Sequence, residues 1–241
     1  MNPSLTNTIK FLLHKIIFEI PLKNRIQLLS FEKILEKNYT EGAAFSFVQV
    51  GANDGVSHDF LYGFLKKRKA RGLVIEPLPD LFEELQKNYS YNPEVIAINK
   101  AVHPGASSID LYRVDPGKAQ LYANWVKGIA SVDPAHHLKS GIPSGDIIRQ
   151  QVNAAKLMDI ISENNFMLPV DLLQIDAEGF DLEILKLADL DSMQPSMVRF
   201  EIINLSRDDG KTAVNLLKNK GYHCFQNGYD IIALQLQKLR L

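Results

Sequence analysis

Phe47-Val48-Gln49-Val50-Gly51-Ala52-Asn53-Asp54-Gly55 decides how this chain folds. Four residues of strand character run into a turn with a glycine at each end. Further on, Leu73-Val74-Ile75 forms a second apolar run that ends on an acid, Glu76. A glycine-bounded turn after a first strand lets backbone approach a ligand closely. An acid after the second strand can accept ribose hydroxyls. Together they point to a nucleotide-like cofactor on an α/β sheet.

The flanking sequence repeats the strand–helix rhythm. Strands are expected at 46–50, 73–76, 95–98, 170–175 and 197–202, and Ile109 to Val114 alternates like a short strand. Phe60, Leu61, Phe64 and Leu65 recur at helical spacing, as do Leu81, Phe82 and Leu85 behind Pro79. Further helices are expected around Leu157 to Ile161 by residue spacing, at 182–187, and at 212–220 with Gly221 as the stop. The turn Asn227-Gly228 joins two closing strands in a hairpin. Buried, unalternating strands separated by helices predict a mostly parallel sheet with helices on both faces and an antiparallel closing element. Residues 1–42 read as a helical extension, and 43–241 as the main domain. Within that domain, 103–150 is a Pro- and Gly-rich insert of the length used for lids over substrate sites.

Bulk properties narrow the function. The 241 residues carry a formal charge of -1, which argues against a broad electrostatic grip on nucleic acid. Cys224 stands alone, so no intrachain disulfide forms, and a reducing, cytoplasmic setting fits. The apolar stretch 9–20 is interrupted by Lys10, His14, Lys15 and Glu19. It reads as a surface helix packed on the core, with peripheral membrane contact or dimerisation as alternatives.

The turn lacks the middle glycine that lets a pyrophosphate press onto a helix start. Asn53 and Asp54 stand there instead. A carboxylate repels a pyrophosphate and attracts a sulfonium and an ammonium group. The balance moves from NAD to S-adenosylmethionine. The blocks Val48-Gln49-Val50-Gly51-Ala52-Asn53-Asp54-Gly55, Val74-Ile75-Glu76-Pro77, Asn99-Lys100-Ala101-Val102, Leu173-Gln174-Ile175-Asp176-Ala177-Glu178-Gly179 and Arg199-Phe200-Glu201 resemble the FkbM family of methyltransferases. The resemblance implies a class I methyltransferase fold, Rossmann-like, with a seven-stranded sheet. It also implies S-adenosylmethionine as donor and a hydroxyl oxygen, often on a sugar or natural product, as acceptor. Carried over by position, Gly51, Asn53, Asp54 and Gly55 would cradle the methionine end, and Glu76 would take both ribose hydroxyls. Asn99 and Ala101 would lie by the adenine, Pro77 and Leu78 would pack on the rings, and Asp176 would face the donor from the fourth strand. One departure is Gln49, where such enzymes commonly carry an acid two residues before the first glycine; Asp54 is the acid left to compensate.

Transfer to a hydroxyl also requires a base. Asp176 and Glu201 end neighbouring strands, and Glu178 follows Asp176 closely, so three carboxylates converge near the acceptor. Each is a candidate base or substrate anchor, and Asp176 and Glu178 alternatively cap the next helix. Mg²⁺ between Asp176 and Glu201 is a further alternative. In the insert, His136 and His137 are candidate bases, Ser131 a candidate contact, and Tyr122 and Trp125 candidate platforms for a sugar ring. The expected partner is therefore a small-molecule or carbohydrate hydroxyl. An NAD-dependent Rossmann enzyme and a non-catalytic binding module are the competing functions.

Overall fold

The structure, a computed structural model, describes Thr8, residues 30–57 and residues 59–241. The helix expected over 9–20, its membrane or dimer roles, and His58 lie outside the described residues.

The strands in chain order are β1 (Ala44–Val50), β2 (Lys69–Ile75), β3 (Val95–Ile98), β4 (Ala101–Val102), β5 (Ser108–Val114), β6 (Ala130–Ser131), β7 (Ile147–Ala155), β8 (Leu172–Ile175), β9 (Met197–Glu201), β10 (His223–Asn227) and β11 (Asp230–Leu234). Seven of them make one sheet in the order β10-β11-β9-β8-β1-β2-β3. β1 pairs in parallel with both β2 and β8, β2 with β3, and β8 with β9. β11 is antiparallel to both its neighbours, β9 and β10. The antiparallel closing strand is thus one place in from the sheet's edge. Its hairpin turns at Gly228-Tyr229, because Asn227 already pairs with Asp230. Gly228 supplies the positive φ that the first turn position requires.

Among the described residues, the helices that flank the sheet are α1 (Phe31–Asn38), α2 (Phe60–Leu65), α3 (Pro79–Tyr89), α4 (Leu157–Glu163), α5 (Asp181–Leu187), α6 (Leu190–Met193) and α7 (Arg207–Asn219). Side-chain caps start several of them. Ser30 accepts from Lys33 N, Asp59 from Leu61 N and Ser206 from Asp209 N. Strand residues alternate between two cores. Phe45, Phe47, Leu172 and Met197 pack with Phe31, Leu61, Phe64, Leu85 and Tyr89 from α1–α3. Val48, Val50, Leu173, Ile175, Val198 and Phe200 pack with α4, α5 and α7 through Ile160, Leu185 and Leu217, and with α6 through Met193.

Toward the C-terminal ends of the strands, the α1–α3 face turns polar. Gln49 pairs with Gln174, and Gln174 with Arg199. One step further the same face presents Gly51, Asp176, Glu201 and Asp230. Polar side chains in the middle of a buried parallel sheet have no packing rationale, and they mark the floor of a site.

The insert is a β-structure rather than a loop. β5 and β7 form an antiparallel ribbon, with β6 beside β5 and β4 beside β7. The ribbon runs to Ala155, past the expected boundary at 150. Leu111, Val152 and Ala154 pack it against Leu78 and Leu81 at the start of α3. Short 3-10 turns over Pro116–Leu121, Asn124–Gly128, His136–Ser140 and Ser144–Asp146 fill its ends.

Candidate active site

The glycine turn is built on β2. Gly51 N and Ala52 N both donate to Ile75 O, at 2.9 and 3.0 Å. Gly51 has φ +75, and a Cβ there would sit 1.7 Å from the main-chain oxygen of Asp176. Only glycine lets the β1 and β8 ends approach this closely. Glu76 is buried, and its two carboxylate oxygens accept from Asn53 N and Leu78 N, each at 2.9 Å. Burial pushes its carboxyl up to about 7, against the lowering pull of those two amides and of Arg113. The same bonds that fix the carboxylate hold the Asn53 backbone at its positive φ of 52.

Asp54 works on the turn itself. Its carboxylate accepts from Val56 N, Ser57 N and the Ser57 hydroxyl. Asn99 donates to Glu76 O and Pro77 O, at 2.9 and 3.1 Å. It therefore props the strand end behind the site and is not part of the cavity wall.

At the other end the expected carboxylates converge. Asp176 follows β8 and is exposed to the cavity it lines. Burial, then the neighbouring Glu201 and Glu178, hold it well above the usual carboxylate range. Glu201 ends β9 and is raised to about 7 by burial and then by Glu178. Asn204 bridges the pair, its Nδ2 donating to Glu178 Oε2 and Glu201 Oε2 at 2.9 Å each. His136, buried within the insert, places Nε2 3.2 Å from Glu178 Oε2. Glu178 itself has φ 50, a left-handed conformation that a non-glycine residue keeps only under surrounding restraint. That restraint includes Ser131, whose hydroxyl donates to Glu178 O at 3.0 Å. Asp181 is fully buried at the start of α5, accepts from Gly179 N, and is raised to about 6 by burial.

One cavity of about 1120 Å³ joins the two ends. Ligand pockets commonly measure ~300–1,000 Å³, so there is room for a donor and an acceptor together. Its wall includes Gly51, Asn53, Asp54, Glu76, Pro77 and Ala101 on one side, and Asp176, Glu178, Glu201 and His136 on the other. Gly55 lies behind the wall, at φ +75, where a Cβ would strike Tyr89 and Leu85. The insert closes over the turn: a Cβ on Gly128 would meet Asn53 Nδ2 at 2.0 Å. Trp125 reaches the cavity wall, whereas Tyr122 bonds Asp146 and His137 bonds Ser144. Leu78 packs in the core beneath the insert. Cys224 is partly buried, and burial raises its thiol to about 11.

Asp59, Asn204 and Tyr229 are wall residues that no motif announced. Gln174 stands in the Leu173–Gly179 block without an assigned role; its own signal is a polar residue at a strand position where its neighbours are apolar. Among the described residues, no group of three or more His, Cys, Asp or Glu side chains is arranged to hold a metal ion, so the Mg²⁺ alternative gains no support.

The sheet order, the antiparallel β11 and the cavity at the carboxyl ends of the strands define a class I methyltransferase. The chain belongs to the FkbM methyltransferase family: the model described as "Methyltransferase FkbM domain" matches residues 49–224. It is similar to "Methyltransferase 1" of Beauveria bassiana (strain ARSEF 2860), with 26% identity over 182 residues, 73% of this chain and 71% of that one. The solved "Methyltransferase FkbM" of Methylobacillus flagellatus KT shares the fold at a TM-score of 0.50 and 16% identity, covering 97% of this chain and 55% of that one. Family membership sets the NAD-dependent alternative aside and implies S-adenosylmethionine as donor. The residues present fit that donor. Asp54, Asp59 and Glu76 gather at the turn end of the cavity, where they would repel a pyrophosphate and attract a cation.

Proposed function

We propose that this methyltransferase moves the methyl group of S-adenosylmethionine to a hydroxyl oxygen of a small-molecule or carbohydrate acceptor. The contact between His136 and Glu178, 3.2 Å long on the cavity wall, is the observation that carries this. When bound, S-adenosylmethionine supplies an electrophilic methyl on a sulfonium, so the chain has to align the acceptor and remove its proton.

Glu178 accepts the Nε2 proton of His136, which leaves the other ring nitrogen to take the acceptor's hydroxyl proton. The carboxylate then stabilises the imidazolium, a contribution of ~10²–10⁴-fold for a well-placed base. Asp176 and Glu201 hold acceptor hydroxyls, and Asn204 keeps Glu201 and Glu178 in register. Glu76 holds the donor's ribose. Trp125 and Tyr229, 51% and 68% exposed on the cavity wall, offer flat apolar faces to a sugar ring.

The test is transfer of an isotope-labelled methyl from S-adenosylmethionine to a panel of glycosides and polyhydroxylated small molecules, with the product located by NMR. A new methyl ether, lost in His136→Ala and in Asp176→Asn while S-adenosylhomocysteine still binds both variants, is the expected result. Methyl on nitrogen or carbon, or wild-type rates in both variants, would overturn the assignment.

A further inference from the structure

Gln49 occupies the position, two residues before the first glycine, where an acid was expected. The Asp54 carboxylate already takes three hydrogen bonds within its own turn, from Val56 N, Ser57 N and the Ser57 hydroxyl. A different carboxylate stands beside Gln49. Asp59 Oδ2 accepts from Gln49 Nε2 at 2.8 Å, while Asp59 Oδ1 caps α2 by accepting from Leu61 N at 2.8 Å. Asp59 and Gln49 both line the cavity.

The floor around them is rich in unused acceptors. Gln49 and Gln174 are 3% and 7% exposed, and the Oε1 of each is buried without a hydrogen-bond donor. The two residues are register partners on adjacent strands, so their amides sit side by side. A buried acceptor left without a donor is costly. Two together, next to a carboxylate, leave a patch of uncompensated negative potential. The nearby Arg199 does not neutralise it freely, because its Nε and Nη2 are both held on Asp230 Oδ2, at 3.0 and 2.8 Å. Burial keeps the Asp59 carboxyl above its ordinary range, and the pull of Arg199 offsets only part of that rise.

Building on the donor reading above, we propose that Asp59, steadied by Gln49 and backed by Gln174, receives the ammonium group of the donor's methionine end. The acid missing from the end of β1 is supplied from the cap of α2, with Gln49 holding it in place. An ammonium has three donors and no acceptor, and it suits a site made of a carboxylate and two amide oxygens.

Two probes separate this from the donor reading itself. S-adenosylhomocysteine carries the amino-acid end; methylthioadenosine keeps the nucleoside and sulfur but lacks it. Asp59→Asn retains an oxygen for the α2 cap. Its new amide turns the Gln49 amide round and removes the charge. Calorimetric titration is expected to show S-adenosylhomocysteine weakened by about ten- to a hundredfold, as for a lost charge-assisted hydrogen bond, with methylthioadenosine unchanged. Gln49→Met leaves the cap untouched and is expected to weaken S-adenosylhomocysteine in the same selective way. The double variant Asp59→Asn, Gln49→Glu returns an acid to the end of β1 and is expected to recover most of the loss.

Equal weakening of both probes in Asp59→Asn would make Asp59 merely structural, and unchanged binding of both would remove it from the site. Either result overturns this proposal and leaves the donor reading standing. A folded wild-type protein that binds neither probe overturns both.

Discussion

Glu76 shows how one residue serves fold and ligand together. Its carboxylate pins the Asn53 and Leu78 amides, and burial raises it to about 7. Ribose hydroxyls stabilise the ionised form, so donor binding releases a proton when the pH is below that value. S-adenosylhomocysteine affinity should therefore strengthen as pH rises toward about 7 and then level off. Glu76→Gln keeps one acceptor for the backbone. It should bind S-adenosylhomocysteine about tenfold more weakly, with the pH dependence flattened. Calorimetry at several pH values checks both; a variant with wild-type affinity would remove Glu76 from the ribose. The sequence exposed Glu76 because an acid ending a buried strand is conspicuous. Asn99 was equally conspicuous, but its amide is spent on the backbone of Glu76 and Pro77. Gln174 had no role within its block and Asn204 stood in none, because their roles depend on strand register and on a turn after β9, neither of which leaves a local pattern.

At the scale of elements, the parallel strands were legible because each is a short apolar run next to an amphipathic helix. Of the β5–β7 ribbon only the alternation of Ile109 to Val114 in β5 was legible. β7 reads Ile-Ile-Arg-Gln-Gln-Val-Asn-Ala-Ala, with polar residues at most outward positions, and its partner β5 lies far upstream, across a region full of turn formers. Pairing, not propensity, makes it a strand. The ribbon is tied to the donor-binding side by Arg113, 3% exposed, whose guanidinium grips both oxygens of Asp80 at 2.5 and 2.9 Å. Asp80 sits in the first turn of α3, directly after the Glu76–Pro77 segment. Because Asp80 is about half exposed, screening discounts the pair, and Arg113→Met should destabilise the protein by about 1–2 kcal/mol. Amide exchange should quicken across β5 and β7 and stay slow in β1 and β8. Uniform acceleration throughout the sheet would show that the ribbon and the main sheet open as one unit.

For the whole molecule, the site sets how stability responds to pH. The folded chain keeps protons on carboxyls that the unfolded chain releases near pH ~4. Glu76 and Glu201 are raised to about 7, Asp181 to about 6, and Asp176 is raised as well, all chiefly by burial. Where the folded state binds more protons than the unfolded one, stability falls as pH rises. For Glu76, Glu201 and Asp181 the loss accumulates from about pH 4.5 and is complete above about pH 7, with Asp176 adding to it in the same direction. Asp80 acts in the opposite sense, held low by Arg113 despite its partial burial, so its contribution is present above its ordinary value and is lost only in stronger acid. The melting temperature should therefore be highest near about pH 5 and decline by several degrees toward about pH 8, placing the maximum at the acid end of the ~5–8 range in which it tends to lie. Thermal melts at constant ionic strength check this. Removing one raised carboxyl with Glu201→Gln should reduce the slope between about pH 5 and 7 without shifting the acid limb. A profile flat across that range would mean that these carboxyls are ionised in the folded protein. The crowding of Asp176, Glu178 and Glu201 would then have to be relieved by a cation or by water.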